Sequence, residues 1–378
     1  MKKSLDSKLP KIPFALRCVL CLGLITFVVL GAFFLFPANV YYHVTEKYVF
    51  SGGGEDADIY LGVILPKTGP YQWVGEVEIL WDGSQRKEKF DFVDVIKLSG
   101  KMSSQKNQGA TIEYDVKLPQ GYVSWDAPVE SFQRLPQTGI ESDCECIKEQ
   151  ASLLCNGVSE NDVYRTYAFT ADYLTYSQDE TDCICSNASA LKAYESGSCM
   201  CLGYAMLMTA FCRASKIPAQ VIIGQVYPDP ILRTKEISFP QNPCEAHAWV
   251  EYYSDGSWKM ADPTFGASLS KFMQFNRNDG RHLSYGEMDH AISVKRGLVN
   301  WALDQTEQVI GDTNCIRYVA TSTSNQVSLV PTISIRRVWD GRWLNMLILW
   351  GLSIWLLSKY RDKIIGSPHQ KTKLPDNV

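Results

Sequence analysis

The chain has 378 residues, 46% of them hydrophobic and 21% charged, and a net charge of −4. Those proportions exclude a disordered or acidic-tail protein, a collagen, a coiled coil and a multi-span transporter. With no basic surplus to release counterions from phosphates, nucleic acid is excluded as a partner. The length suits roughly two domains.

Residues 1–17 read as a cytoplasmic tail, with Lys2, Lys3, Lys8, Lys11 and Arg17 against Asp6 alone. Residues 18–36, Cys18 to Phe36, carry no charge and end at Pro37. That run predicts a transmembrane helix, because about 20 apolar residues cross a bilayer. The basic side faces the cytoplasm, so the chain beyond the helix is exported. A cleaved signal peptide fits less well, since the run exceeds the usual apolar core and lacks a small-residue cleavage site after it.

Residues 37–135 have the texture of a small antiparallel β domain. Thr111 to Leu118 alternates apolar and polar residues as a half-buried strand does. Glu76 to Trp81 and Phe90 to Leu98 read as further strands, and Lys101 to Gly109 as a polar loop.

From residue 136 to about 320 the period changes. Ile140, Cys144, Ile147, Ala151 and Leu154 recur at helical spacing. Ser159 to Asp162 resembles a capping box opening a second helix through Leu174. A third, Ala188 to Glu195, is capped by Ser186 or Asn187 and stopped by Gly197. A fourth runs from Cys201 to Ser215 and breaks before Pro218. The β runs Val221–Val226, Ala246–Tyr253 and Trp258–Ala261 come next, and helices before strands make this part α+β. Residues 321–342 form a β or juxtamembrane segment. Residues 343–358 predict a second transmembrane helix, edged by Trp339, Trp343, Trp355 and Tyr360. The basic residues of 359–378 return the tail to the cytoplasm.

Ten of the twelve cysteines fall in the exported part, some as C-x-C pairs (144/146, 183/185, 199/201). Zinc is not supported by that spacing. Disulfides are the expectation in an oxidising compartment, with the pairing left open.

Three pieces carry chemistry. Gly197 to Ala205 is a glycine-broken turn leading into a helix that starts near Cys201, where the macrodipole favours thiolate over thiol. His247 lies on a strand in Cys244-Glu-Ala-His-Ala-Trp-Val-Glu251, and Asp262 ends the next strand before Pro263. Adjacent antiparallel strands bring that imidazole and carboxylate together. Nucleophile, base and orienter are what covalent acyl transfer requires.

Cys201-Leu-Gly-Tyr-Ala205, Arg213-Ala-Ser-Lys-Ile-Pro-Ala219, His247-Ala-Trp-Val-Glu251 and Trp258-Lys-Met-Ala-Asp-Pro-Thr264 resemble, in order, the motifs of the transglutaminase-like superfamily of thiol enzymes. The resemblance covers roughly 141–266. It implies a papain-like α+β core with Cys201 as nucleophile, His247 as general base and Asp262 holding the imidazole. Relatives act on amides, so it implies a peptide or protein substrate without choosing one.

Cys199, where many relatives carry Gly, is expected to be bridged or to guard Cys201, and Cys212 to be buried packing. The Cys201 N–H suits an oxyanion donor. Tyr167 or Trp249 is either a second donor or a core aromatic. The polar segment Asn276–Tyr285 reads as the lining of a substrate cleft or, in preference, as a turn. No cofactor, metal or calcium loop is expected.

The whole predicts a membrane-tethered, exocytoplasmic cysteine enzyme acting on amides through a thioester. The alternative is a non-catalytic envelope binding or assembly module on the same fold. All three triad residue types are present, which separates the two readings.

Overall fold

The computed structural model describes residues 23–27, 29, 37–52, 54–91, 93–104, 106–177, 188–227, 237–238, 246–268, 271–306, 308–312 and 317–359. Most of the expected first span, the tail from 360, Asn187, and Cys18, Cys21, Cys183, Cys185, Cys244 and Cys315 lie outside them. The chain forms two units, Asn39–Trp339 and the paired ends Met1–Ala38 with Asp340–Val378.

The β texture of the N-terminal third becomes long antiparallel strands. They are β1 (Ala38–Ser51), β2 (Ala57–Pro66), β3 (Val93–Met102) and β4 (Gln108–Tyr122). In β4 the alternation is realised: Ile112, Tyr114, Val116 and Leu118 are buried while Glu113 and Lys117 are not. β3 extends into the expected 101–109 loop, because Met102 pairs opposite Ala57.

The helices track the sequence signals closely. α1 (Glu145–Leu154) precedes α2 (Glu160–Tyr173), whose Ser159–Asp162 capping box is formed in both directions. α3 (Ala190–Ser196) is capped by the Ser189 side chain rather than by 186 or 187, and Gly197 ends it at φ 66°. That left-handed conformation costs glycine little. α4 (Cys201–Ala214) is buried from Cys201 to Arg213, as a helix apolar on all sides must be.

α4 packs between the other helices and a sheet in which β5 (Ala219–Val226), β6 (Ala246–Ser254), β7 (Ser257–Ala261) and β8 (His282–Glu287) take the order β8-β5-β6-β7. β6 and β7 form a hairpin over Asp255-Gly256, both at positive φ, the turn geometry that matches strand twist. A short helix, α5 (Pro263–Ser268), comes after β7. The long α6 (Met288–Gln305) was not read from the sequence; only Met288, Ala291, Leu298 and Ala302 on it are buried, a narrow apolar stripe.

β9 (Tyr318–Ser322) and β10 (Ser328–Asp340) complete the N-terminal sheets from the far end of the chain. β9 pairs with β2, and β10 sits beside β1. In the unit of paired ends, α7 (Arg342–Lys359) occupies the place of the expected second span, and Asn345 Nδ2 donates to the Pro37 carbonyl at 3.1 Å. Among the described residues no helix is long and apolar enough to cross a membrane.

Candidate active site

Cys201 is the first residue of α4, and its N-cap, Met200, is extended. The chain reaches it through Ser198–Cys199, which pairs in parallel with Thr175–Tyr176. Gly203 permits this approach: a Cβ there would lie 2.6 Å from the Cys199 Cβ and Sγ atoms. Cys201 is buried, and its side chain is close enough to that of His247 to help raise the imidazole's pKa.

The β6–β7 register places Val250 opposite Ala261. One step further sets residue 262 against 249, so His247 and Asp262 are diagonal neighbours on one face. His247 Nε2 lies 2.8 Å from Asp262 Oδ2, which leaves Nδ1 for Cys201. The imidazole is held between aromatic rings, with Phe265 at 4.8 Å and Trp249 at 6.2 Å between centroids.

Asp262 has a second duty that explains the Asp-Pro-Thr run. Its Oδ1 accepts from the Thr264 and Phe265 N–H groups at 2.9 and 3.0 Å, capping α5, while Pro263 occupies a first-turn position needing no donor. The carboxylate that orients the imidazole is thus fixed by the helix it starts. Burial pulls the His247 pKa down. The charge and hydrogen bond of Asp262, and those of Cys201, outweigh it and leave His247 raised to about 10. Burial opposes ionisation of Asp262, yet the two histidines hold it well below the usual carboxylate range.

The second of those histidines, His282, was missed. The Asn278-Asp-Gly-Arg-His282 segment is more than a turn: it carries a buried ring back beneath Asp262. His282 Nε2 is 3.0 Å from Asp262 Oδ2, and its Nδ1 is 3.0 Å from Asp279 Oδ1. Both nitrogens face carboxylates, so both carry protons and the ring is an imidazolium. Burial works against that charge, but Asp279 and Asp262 outweigh it and raise the His282 pKa. Asp279 is in turn held by Arg281 Nε at 2.9 Å. The signal in the sequence was an Asp and a His three apart across a glycine, in a stretch with few apolar residues.

His247, Asp262 and His282 also offer three ligand-type atoms within 4.8 Å of one another. The 2.8 and 3.0 Å separations from a shared Oδ2 are those of charge-assisted hydrogen bonds. Replacing His282 with glutamine removes a cation lodged between two buried carboxylates and is expected to cost about 3–5 kcal/mol of stability. It should also raise the His247 pKa further, because the Asp262 charge is then undivided. Carbon-labelled histidine titrated by NMR measures that shift, and a downward movement contradicts the arrangement.

Neither aromatic weighed as a second oxyanion donor is available. The Tyr167 hydroxyl donates to the Lys271 carbonyl at 3.0 Å, and Trp249 Nε1 donates to the Tyr71 hydroxyl at 3.2 Å. Cys212 is packing: it is fully buried, and burial pushes its thiol pKa well up. The expected disulfides do not appear among the described residues, where Cys144, Cys146, Cys155, Cys201 and Cys212 are thiols.

The transglutaminase-like superfamily matches residues 154–263, a span that holds Cys201, His247 and Asp262. No curated protein matches the chain. Among solved structures, the chain is similar to a candidate cysteine protease from Cytophaga hutchinsonii at 14% identity and a TM-score of 0.47, covering 80% of this chain and 93% of that one. It is also similar to the periplasmic domain of TgpA from Pseudomonas aeruginosa at 17% identity and a TM-score of 0.31, covering 60% and 75%. Scores at that level carry nothing about activity. Residues 154–263 of this chain, the stretch that carries the thiol, imidazole and carboxylate, are therefore similar to the transglutaminase-like superfamily.

Proposed function

We propose that the protein is a cysteine acyl-transfer enzyme acting on peptide or protein amides. The observation that carries this reading is the buried His247, whose Nε2 lies 2.8 Å from Asp262 Oδ2 and whose pKa the neighbouring Cys201 side chain helps to raise. The Cys201 sulfur attacks the amide carbonyl, and its proton resides on His247. The tetrahedral oxyanion is met by the Cys201 N–H at the start of α4. The C–N bond then breaks as His247 gives its proton to the departing amine, leaving a thioester. Water or a second amine, deprotonated by His247, attacks the thioester and releases the acid or the new amide with Cys201 restored. The pair Asp262 and His282 keeps the imidazole oriented throughout.

The membrane tether belongs to the same proposal. α7 leaves Leu347, Ile348, Trp350 and Trp355 exposed, and Lys359 lies over the Trp355 ring at its end. Exposed apolar surface of that kind, with basic residues at both ends of the helix, suits a lipid contact. The topology inferred from the basic N-terminal tail puts the thiol site on the exocytoplasmic side.

Site-resolved alkylation tests the chemistry. With iodoacetamide at neutral pH, Cys201 should react faster than Cys144, Cys146, Cys155 and Cys212, although Cys144, Cys146 and Cys155 are the more exposed thiols. His247→Ala should slow Cys201 by about 100-fold while leaving the others unchanged. A Cys201 no more reactive than the buried Cys212 would sink the proposal.

A further inference from the structure

A second space lies on the face of the sheet turned away from α4. Val221, Ile223, Ala248 and Val250 share the core of α4, whereas Ile222, Trp249 and Met260 pack with Tyr71 and Val123 on the other side. There the sheet, the loop from Lys67 to Gln72 and the start of α6 surround a cavity of about 460 Å³. Cavities of this size hold small ligands, about 300–1,000 Å³ being usual. None of Cys201, His247, Asp262 and His282 lines it.

The wall combines two materials. Tyr71, Trp125, Phe132 and Trp258 supply aromatic surface, and Glu251 and Glu287 supply carboxylates that are 7% and 2% exposed. Glu251 is satisfied by neutral groups: the Tyr71 hydroxyl donates to Oε1 at 2.5 Å and Gln220 Nε2 to Oε2 at 2.8 Å. Glu287 Oε2 accepts from the His290 N–H at 3.1 Å. Its Oε1 is buried and has no hydrogen-bond partner. An orphaned carboxylate oxygen in a buried wall is costly unless a donor arrives.

The surrounding charges do not supply that donor. Lys67 Nζ is committed to the Phe90 carbonyl at 2.8 Å and faces Asp94 at 3.9 Å. His290 Nδ1 lies 3.4 Å from Glu287 Oε2, the oxygen already occupied. Arg213 reaches Glu287 only through its field, and Asp289, with Asp91 and Glu130 on the cavity wall, adds negative charge. Burial first, and then the charge of Glu287, raise Glu251 to about 7 against the pull of its two donors. A cation set between the two carboxylates would answer that surplus of negative charge.

We propose that this cavity binds a primary alkylammonium group, that of a lysine side chain, with the ammonium at Glu287 Oε1 and Glu251 and the methylene stem on the aromatic wall. A calcium ion would need six or more oxygen ligands and gains nothing from aromatic faces, whereas an organic cation gains from both materials. A guanidinium seeks two oxygens of one carboxylate, and Glu287 offers one. The site is distinct from the thiol centre and does not depend on the reaction proposed there.

Calorimetric titration of the full chain carrying Cys201→Ala, which silences any turnover, tests the proposal. Nα-acetyl-lysine amide is expected to bind saturably in the millimolar range or tighter. Nα-acetyl-norleucine amide, which keeps the stem and loses the charge, should bind at least about tenfold more weakly. Glu287→Gln should weaken the lysine compound by about tenfold. Equal binding of the two amides, no saturation by the lysine amide, or undiminished affinity in Glu287→Gln would overturn the proposal. Should Glu287→Gln fail to fold, the contrast between the two amides on the Cys201→Ala chain decides alone.

Discussion

Replacing Cys201 with alanine is expected to abolish amide turnover, with kcat falling on the order of 10⁴-fold or more. Its cost to stability should be only about 1 kcal/mol, that of one hydrogen bond whose partner keeps another. His247 remains tied to Asp262 in the variant, so the imidazole has no reason to leave its place. Turnover of a peptide amide by purified wild-type and variant chains, with melting curves beside them, measures both quantities. Turnover within tenfold of the wild type would show that the sulfur is not the nucleophile. An inactive variant that has also lost several degrees in Tm would point instead to a structural duty for the thiol.

Asp262→Asn carries the second large effect, and the physics is sharper because the swap is nearly isosteric. Asparagine can keep its carbonyl oxygen on the Thr264 and Phe265 N–H groups, so α5 retains its cap. Toward the histidines it then turns an NH2 donor. His247 must accept at Nε2, which places its proton on Nδ1, the nitrogen that faces Cys201. A ring in that tautomer cannot take the thiol proton. A loss of about 10³–10⁴ in kcat is expected from this reversal.

The pH behaviour should change with it. In the wild type the pKa of His247 is raised from 6.5 to about 10, so its pairing contributes stability that is full below 6.5 and lost as pH rises through about 10. Asp262 is held below its ordinary 3.8, so its contribution is present above that value and lost as pH falls. Asp262→Asn removes the cause of both. The alkaline limb of the stability profile should move down toward 6.5 and the acid limb should flatten. Denaturant midpoints recorded across pH 3 to 11 (about that range) read the shift, and an unmoved alkaline limb would mean that Asp262 does not hold the His247 proton.

The difference between legible and illegible parts lies in the range of the interactions. Helix caps are local: Ser159 and Asp162 are three residues apart, and Gly197 stops α3 through its own backbone. The β6–β7 hairpin is local too, and its register carries Asp262 to within reach of His247. Cys201, His247 and Asp262 were therefore readable from spacing and element type, and the motif resemblance named the same three. His282 was not, because its duty depends on β8 lying next to β5, a pairing of strands over fifty residues apart. α6 escaped because four buried positions in a long, mostly polar helix leave a faint period.

By itself the amino-acid sequence determined the α+β order, the helix that starts at Cys201, the nearness of His247 to Asp262 and the apolar runs close to both ends, all of them matters of neighbouring residues and short periods. Only the tertiary structure decided that β9 and β10 return to complete the N-terminal sheets, that Tyr167 and Trp249 spend their donors elsewhere, and that His282 and Asp279 sit behind Asp262. Each of those depends on which distant segments share a buried space, where a polar atom without a partner is costly and the chain arranges itself so that nearly every one finds one.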